Sequence, residues 1–287
     1  MINTNILITG ANGQLGTELS KILPGAILTD YQDLDITDRA AVDKFVEKNH
    51  VDTIVNCAAY TAVDAAEDDF GNAHRINVIG PNNLSLTGRK LIHISTDYVF
   101  DGRANRPYQP CDATMPESVY GMTKRTGEMA VLVNSDNSII IRTAWLYSPY
   151  GKNFVKTMRN LGANKSEISV VADQFGKPTY AADLAGAIAQ IIPQMTRANA
   201  GIYHYSNSCD EAHEISGISW YDFATEIMKQ SGLKCVVKPI TTDEYPTRAV
   251  RPKYSVLDTH SIQKDFGIKI PLWQDALSRC IREIERQ

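Results

Sequence analysis

An apolar run, Asn5-Ile-Leu-Ile-Thr9, leads directly into Gly10-Ala11-Asn12-Gly13-Gln14-Leu15-Gly16, and Leu15, Leu19, Ile22 and Leu23 then recur on one face of a helical period. A short apolar run reads as a strand and recurrence at three and four residues reads as a helix, so the glycines occupy a strand-to-helix turn. Glycine permits the tight turn, lets backbone approach a pyrophosphate and allows close helix-to-sheet packing. The helix N-terminus favours anionic phosphate. A glycine pattern by itself also suits an ordinary turn; the strand before it and the helix after it favour the phosphate loop.

The same alternation continues. Residues 26–29, 53–58, 91–95, 139–143 and 202–206 are further short apolar runs, several of them continuous enough for strands covered on both faces. The expected fold class is α/β, a Rossmann-type doubly wound parallel sheet. After Tyr147 the pattern is less regular: a helix near 153–161, a strand near 168–171, and helices over 181–192, 220–231 and 272–284. A smaller, interleaved α/β substrate domain is expected, with residues 1–146 and 181–207 binding the dinucleotide and 147–180 and 208–287 the substrate.

Composition closes off other classes. Among 287 residues, 43% are hydrophobic and 22% charged, which excludes a disordered or fibrous chain. The formal net charge is −4 with basic residues scattered, so no nucleic-acid partner is expected. No apolar run reaches bilayer-spanning length and the stretch from Met1 to Gly10 lacks a leader pattern, so the expectation is a cytoplasmic protein with no membrane partner. The five cysteines are widely spaced and without a C-x-x-C, which reads as reduced thiols and no metal.

Three sites carry chemistry. Tyr120 is the one tyrosine with lysine four residues on, Lys124. On a helix the two share a face, where the ammonium is expected to favour phenolate and bring the phenol toward use as a proton donor. The competing reading is a surface helix pair. Thr96 stands at the carboxyl end of the strand at 91–95, where an open α/β sheet meets its ligand, and can hydrogen-bond a reacting oxygen. Asp30 ends the second strand, 20 residues after Gly10, where a carboxylate accepts from ribose hydroxyls and repels a 2′-phosphate, biasing toward NADH.

In this order the glycine loop, Asn56-Cys-Ala-Ala-Tyr60, Ile76-Asn77, Ser95-Thr-Asp-Tyr98 and Tyr120 with Lys124 resemble the extended short-chain dehydrogenase/reductase superfamily. Within it, Ala59-Tyr-Thr-Ala-Val-Asp-Ala-Ala-Glu67, Ser95-Thr-Asp-Tyr-Val-Phe-Asp-Gly102, Arg142-Thr-Ala-Trp145, Asp173-Gln-Phe-Gly-Lys-Pro-Thr179 and Arg251-Pro-Lys-Tyr-Ser255 are similar to the dTDP-4-dehydrorhamnose reductase family. The resemblance implies NADH- or NADPH-dependent reduction of the 4-keto group of dTDP-4-dehydro-L-rhamnose. It makes Thr96, Tyr120 and Lys124 the catalytic triad and places Thr96, Asp97, Tyr98 and Trp145 at the nucleotide sugar. Gly10, Asn12, Gly13, Gln14, Leu15, Gly16, Asp30, Asp35, Ile36, Ala58, Ala59, Tyr60, Tyr120 and Lys124 would hold the dinucleotide.

One stretch departs from the family. Ser208-Cys-Asp-Glu-Ala-His-Glu-Ile-Ser-Gly217 is longer than usual, and reads as a solvated insertion rather than a metal loop. A 4,6-dehydratase is disfavoured because Asp97 is followed by Tyr98 where an Asp-Glu pair is usual. Another nucleotide-sugar reductase, an epimerase, or a non-catalytic dinucleotide-binding subunit resembling the regulatory subunit of methionine adenosyltransferase remain the alternatives. The helices near the C-terminus suit either internal packing or a homodimer.

Overall fold

The computed structural model describes residues 5–287; the first four positions of the N-terminal stretch lie outside the described residues. Each expected strand forms: β1 Ile6–Thr9, β2 Ile27–Thr29, β3 Thr53–Asn56, β4 Lys90–Thr96 and β5 Ser138–Thr143, with β6 Leu146–Tyr147, β7 Glu167–Val171, β8 Phe175–Gly176 and β9 Thr179–Tyr180 before β10 Gly201–Tyr205. Two more follow, β11 Ile218–Ser219 and β12 Val236–Ile240. Six of them make one sheet in the order β10-β5-β4-β3-β1-β2, every neighbour parallel. The chain runs outward from β1 to β2 and returns to β3 on the other side of β1. That reversal opens a crevice at the carboxyl ends of β1 and β3.

The helices are α1 Gln14–Ile22, α2 Arg39–Lys48, α3 Val63–Ala66, α4 Phe70–His74, α5 Gly80–Ser85, α6 Val119–Asn134, α7 Phe154–Asn164, α8 Ala181–Ile191, α9 Trp220–Gln230, α10 His260–Phe266 and α11 Trp273–Arg286. A π-helical turn, Arg75–Ile79, joins α4 to α5. On one face of the sheet Leu15 and Leu19 of α1 meet Leu184, Ile188 and Ile191 of α8 and Ile262 and Phe266 of α10. On the other, Val42 and Val46 of α2, Leu84 of α5 and Val131 of α6 cover Leu7, Ile54, Leu91 and Ile140. With both faces covered, all six residues of β5 are buried, which is why the strands read as continuous apolar runs.

A separate core holds the smaller part together: Phe223 and Ile227 of α9 and Trp273, Leu277 and Ile281 of α11 pack on Tyr147, Val155 and Ile168. The apolar stripe of α11 is thus spent internally, which answers for this helix the choice between internal and intersubunit packing. β12 pairs with β7 at an edge with its side chains largely exposed, and Pro239 in its middle hides it from a reading based on apolar runs. In the long 208–217 stretch, Glu214 accepts from buried Lys177 at 2.6 Å and Asp210 pairs with His213 at 2.7 Å, so its polar residues are engaged with one another and with the β8–β9 turn. Among the described residues no helix is long and apolar enough to cross a membrane.

Candidate active site

The glycine loop lies where β1 ends, and its geometry leaves no room for a side chain at Gly10 or Gly16. Gly10 has φ +66°, and a Cβ there would stand 2.7 Å from the backbone of Ala58. A Cβ on Gly16 would run into the Gly10 carbonyl and Ala11, so α1 can approach the turn only because that atom is missing. Gly13 caps α1 without a side-chain hydrogen bond. The first-turn N–H groups are therefore not consumed by a cap, and Gly13, Gln14, Leu15 and Gly16 border a cleft of about 620 Å³.

That cleft gathers most of the expected chemistry, with Thr96, Asp97, Tyr98, Tyr120, Lys124 and Trp145 in its wall. Thr96 is the last residue of β4, and Tyr120 and Lys124 lie in the first two turns of α6, which Ser118 caps by accepting from Gly121 N–H. A Cβ on Gly121 would collide with the Tyr98 carbonyl, so glycine at this position sets how close α6 sits to the turn after β4. Tyr120 meets Tyr98 edge-on at 5.4 Å.

The electrostatics differ from the expectation that Lys124 lowers the phenol. Burial pushes Tyr120 up to about 12, and the neighbour that pulls it back is the Thr96 hydroxyl. Lys124 donates instead to the carbonyl of Ile94 at 2.6 Å, and its own burial brings it down to about 8 against the pull of Glu128 and Cys57. Helical spacing puts both residues on one face, but the lysine side chain reaches back to the β4 backbone, an acceptor that sequence spacing does not reveal. Asp97 is 2% exposed, and burial raises its carboxyl to about 6 against the hydrogen bonds from Thr96 and Ser255.

A second hollow of about 300 Å³ shares Gly13, Cys57 and Ala59 with the first and contains Gly10, Asp30, Asp35, Ile36 and Ala58. The two form one trough across the carboxyl edge of β2, β1, β3 and β4. The Asp30 carboxylate accepts from Asn12 N–H at 3.1 Å and from Tyr31 N–H at 2.7 Å, so it also ties the glycine loop to the end of β2. Asp35 accepts from Thr37 and lies 3.8 Å from Arg75. Asn12 and Tyr60 line neither hollow. Tyr60 exchanges backbone hydrogen bonds with the Asn77 side chain at 2.9 and 3.1 Å, and Asn77 also donates to Thr123 on α6.

Several wall residues were not foreseen. Trp220 stacks on Trp145 with centroids 3.6 Å apart, and Trp145 holds a left-handed φ of +50° to face it. Gly151 and Lys152 complete the wall, and Asn153 donates to Gln14 Oε1 at 2.9 Å, bridging the smaller part to the glycine loop. Arg251 lies 5.9 Å from the Tyr98 ring and pairs with Asp64 at 2.6 Å. The motif at 251–255 pointed to this segment, but nothing in the sequence linked Trp220 to Trp145. The trough fits an extended dinucleotide: glycine backbone at its centre, a carboxylate at one end and an unspent helix N-terminus between.

The fold and trough are those of a nucleotide-dependent short-chain dehydrogenase/reductase. The family model described as the RmlD substrate binding domain matches residues 4–286, and the chain belongs to that family. It is 40% identical to a dTDP-4-dehydrorhamnose reductase of Aggregatibacter actinomycetemcomitans over 95% of this chain and 96% of that one. The crystal structure of a dTDP-4-dehydrorhamnose reductase from Clostridium acetobutylicum is similar with a TM-score of 0.91 at 44% identity, covering 98% of this chain and 100% of that one. The same enzyme from Bacillus anthracis, solved in complex with NADP, gives a TM-score of 0.91 at 39% identity over 98% and 100%.

Proposed function

We propose that the chain reduces the 4-keto group of dTDP-4-dehydro-L-rhamnose to give dTDP-L-rhamnose, using NADH or NADPH. The observation that carries the reading is the convergence of Thr96, Tyr120 and Lys124 on a cleft continuous with the glycine loop. The bound dinucleotide supplies hydride. Tyr120 gives its proton to the sugar oxygen as negative charge develops there, and a phenol held high by burial keeps that proton until the acceptor arrives. Lys124 holds the nicotinamide ribose. Thr96 orients the carbonyl, and Asp97, Tyr98 and Trp145 seat the sugar.

In this reading Gly10, Gly13, Gln14, Leu15 and Gly16 hold the pyrophosphate, Asp30, Asp35 and Ile36 the adenosine, and Ala58 and Ala59 line the trough between the two. Asn12 and Tyr60 serve through backbone geometry, since their side chains lie off the trough. A homodimer in the cytoplasm completes the reading; exposed Met129, Leu132 and Val133 on α6 support it, and sedimentation velocity tests it.

The deciding experiment follows loss of reduced-nicotinamide absorbance with enzymatically made dTDP-4-dehydro-L-rhamnose, NADH and NADPH tried separately, and identifies the product. Stoichiometric conversion to dTDP-L-rhamnose is expected. A folded protein that binds dinucleotide tightly but oxidises none with this sugar would overturn the substrate assignment.

A further inference from the structure

Trp145 and Trp220 both border the cleft that holds Thr96 and Tyr120, and their rings lie only 12° from parallel. The left-handed φ of +50° at Trp145 is unfavourable for a bulky residue and persists only where the surroundings hold it. Three contacts do so. The Trp145 carbonyl accepts Thr179 N–H at 3.2 Å. A Cβ on Gly176 would stand 2.7 Å from Trp145 Cε2, so glycine at that position lets β8 lie against the edge of the indole. Trp220 covers a face of the ring.

Trp220 is fixed from its own side as well. It opens α9, and Ser219 before it pairs with Phe175 across the antiparallel β11–β8 ladder. Ser219 also caps the helix: its hydroxyl accepts Asp222 N–H at 3.0 Å, and the Asp222 carboxylate accepts Ser219 N–H at 2.9 Å. Phe154 packs on the Trp220 ring with centroids 4.6 Å apart. The ladder that carries Trp220 contains Gly176, against which the Trp145 edge rests, so one short piece of paired backbone sets the place of both rings.

We propose that Trp220 is a positioning residue for the nucleotide-sugar subsite: packed against Phe154 and stacked on Trp145, it holds the Trp145 indole in the cleft wall and so sets affinity for the sugar, with no part in hydride or proton transfer. The inference rests on the reading that Trp145 seats the sugar. An indole free to leave the wall has to be ordered again each time the sugar binds, which weakens binding. The dinucleotide lies along the glycine loop in the same reading, so its affinity does not depend on Trp220.

The test compares Trp220→Leu, which removes the stacked face, with Trp220→Phe, which keeps an aromatic one, each checked for folding by melting and for NADPH affinity by calorimetry. Trp220→Leu is expected to raise KM for dTDP-4-dehydro-L-rhamnose about tenfold with kcat and NADPH affinity changed less than about twofold, and Trp220→Phe to recover most of the loss. In a Trp145→Phe background Trp220→Leu changes that KM less than about twofold, because the indole it positions is gone. A second readout needs no substrate. The chain has three tryptophans, so fluorotryptophan labelling gives three fluorine resonances, with buried Trp273 as the reference. Trp220→Leu is expected to split or broaden the Trp145 line and leave the Trp273 line sharp. A Trp145 line that stays single and sharp, a KM effect that persists in the Trp145→Phe background, or a matching loss of NADPH affinity would overturn the inference. An inactive wild type would overturn the substrate assignment alone, and the fluorine lines would still decide whether Trp220 holds Trp145.

Discussion

At the scale of the residue, the site is governed by burial more than by the charges beside it. Tyr120 sits at about 12 in a wall where the nearest ammonium is turned away toward Ile94, so its proton is retained at neutral pH. Tyr120→Phe should keep dinucleotide affinity, measured by calorimetry, and lose roughly 10²–10⁴ in turnover, since only the transferable proton is removed. Near-normal turnover would sink the assignment. Asp30→Ala should weaken NADH more than NADPH, because a carboxylate placed to accept from ribose hydroxyls also repels a 2′-phosphate. Some loss is expected for both cofactors, as Asp30 also anchors the amide of Asn12.

Asp97 adds a stability prediction whose sign can be worked out. Its folded-state value of about 6 lies above the ordinary 3.8, so the folded chain binds the proton more tightly and ionisation costs stability. The favourable contribution is complete below the unfolded value and is lost as pH rises through about 6. Asp97→Asn should therefore raise stability at neutral pH by roughly 1–3 kcal/mol, with the gain shrinking as pH is lowered toward the unfolded value. Denaturant titrations at several pH values check it. The opposite sign would mean that the hydrogen bonds from Thr96 and Ser255 outweigh the burial.

Among elements, α6 and its neighbours set the geometry of the centre. The helix is pinned to β5 by a buried pair: Glu128 receives Arg142 Nε and Nη2, both at 2.8 Å, with neither side chain more than 1% exposed. Glu128→Ala strands the Arg142 guanidinium in the interior and should cost about 3–5 kcal/mol. A loss below about 1 kcal/mol in chemical denaturation would mean that solvent reaches the pair. The helix with its Tyr and Lys was legible because spacing alone puts residues 120 and 124 on one face. The close seat of Gly121 under the Tyr98 carbonyl was not, because closeness across elements leaves no periodic mark. Two other elements were silent for local reasons. β12 has no buried residue and carries Pro239, and the segment from Val63 to Ser85 is cut into short helices by a π-turn.

For the molecule as a whole, two bodies of packing meet at the trough, and Asn153 is where they clasp. Its side chain accepts from Lys156 N–H to cap α7 and donates to Gln14 Oε1, Ser148 O and Tyr150 O. Asn153→Asp preserves the cap acceptor and removes every donation. We expect weaker dinucleotide binding by up to about tenfold with little change in melting, whereas Asn153→Ala should also lose about 1 kcal/mol of stability through the cap. Unchanged affinity in the Asp variant would reduce the clasp to packing.

The sequence by itself determined the parallel sheet, the glycine loop at its reversal, and the shared helix face of Tyr120 and Lys124, because each is written in local order: apolar runs covered on both faces, glycines where a Cβ would collide, a phenol and an amine one helical turn apart. Only the tertiary structure decided where Lys124 points, that Trp220 stacks on Trp145 from a distant part of the chain, and that the Thr96 hydroxyl lies 3.0 Å from a buried Asp97 carboxylate. Those are choices among several acceptors and several partners. They are settled by burial and by what the fold brings within hydrogen-bond reach, which no spacing along a chain encodes.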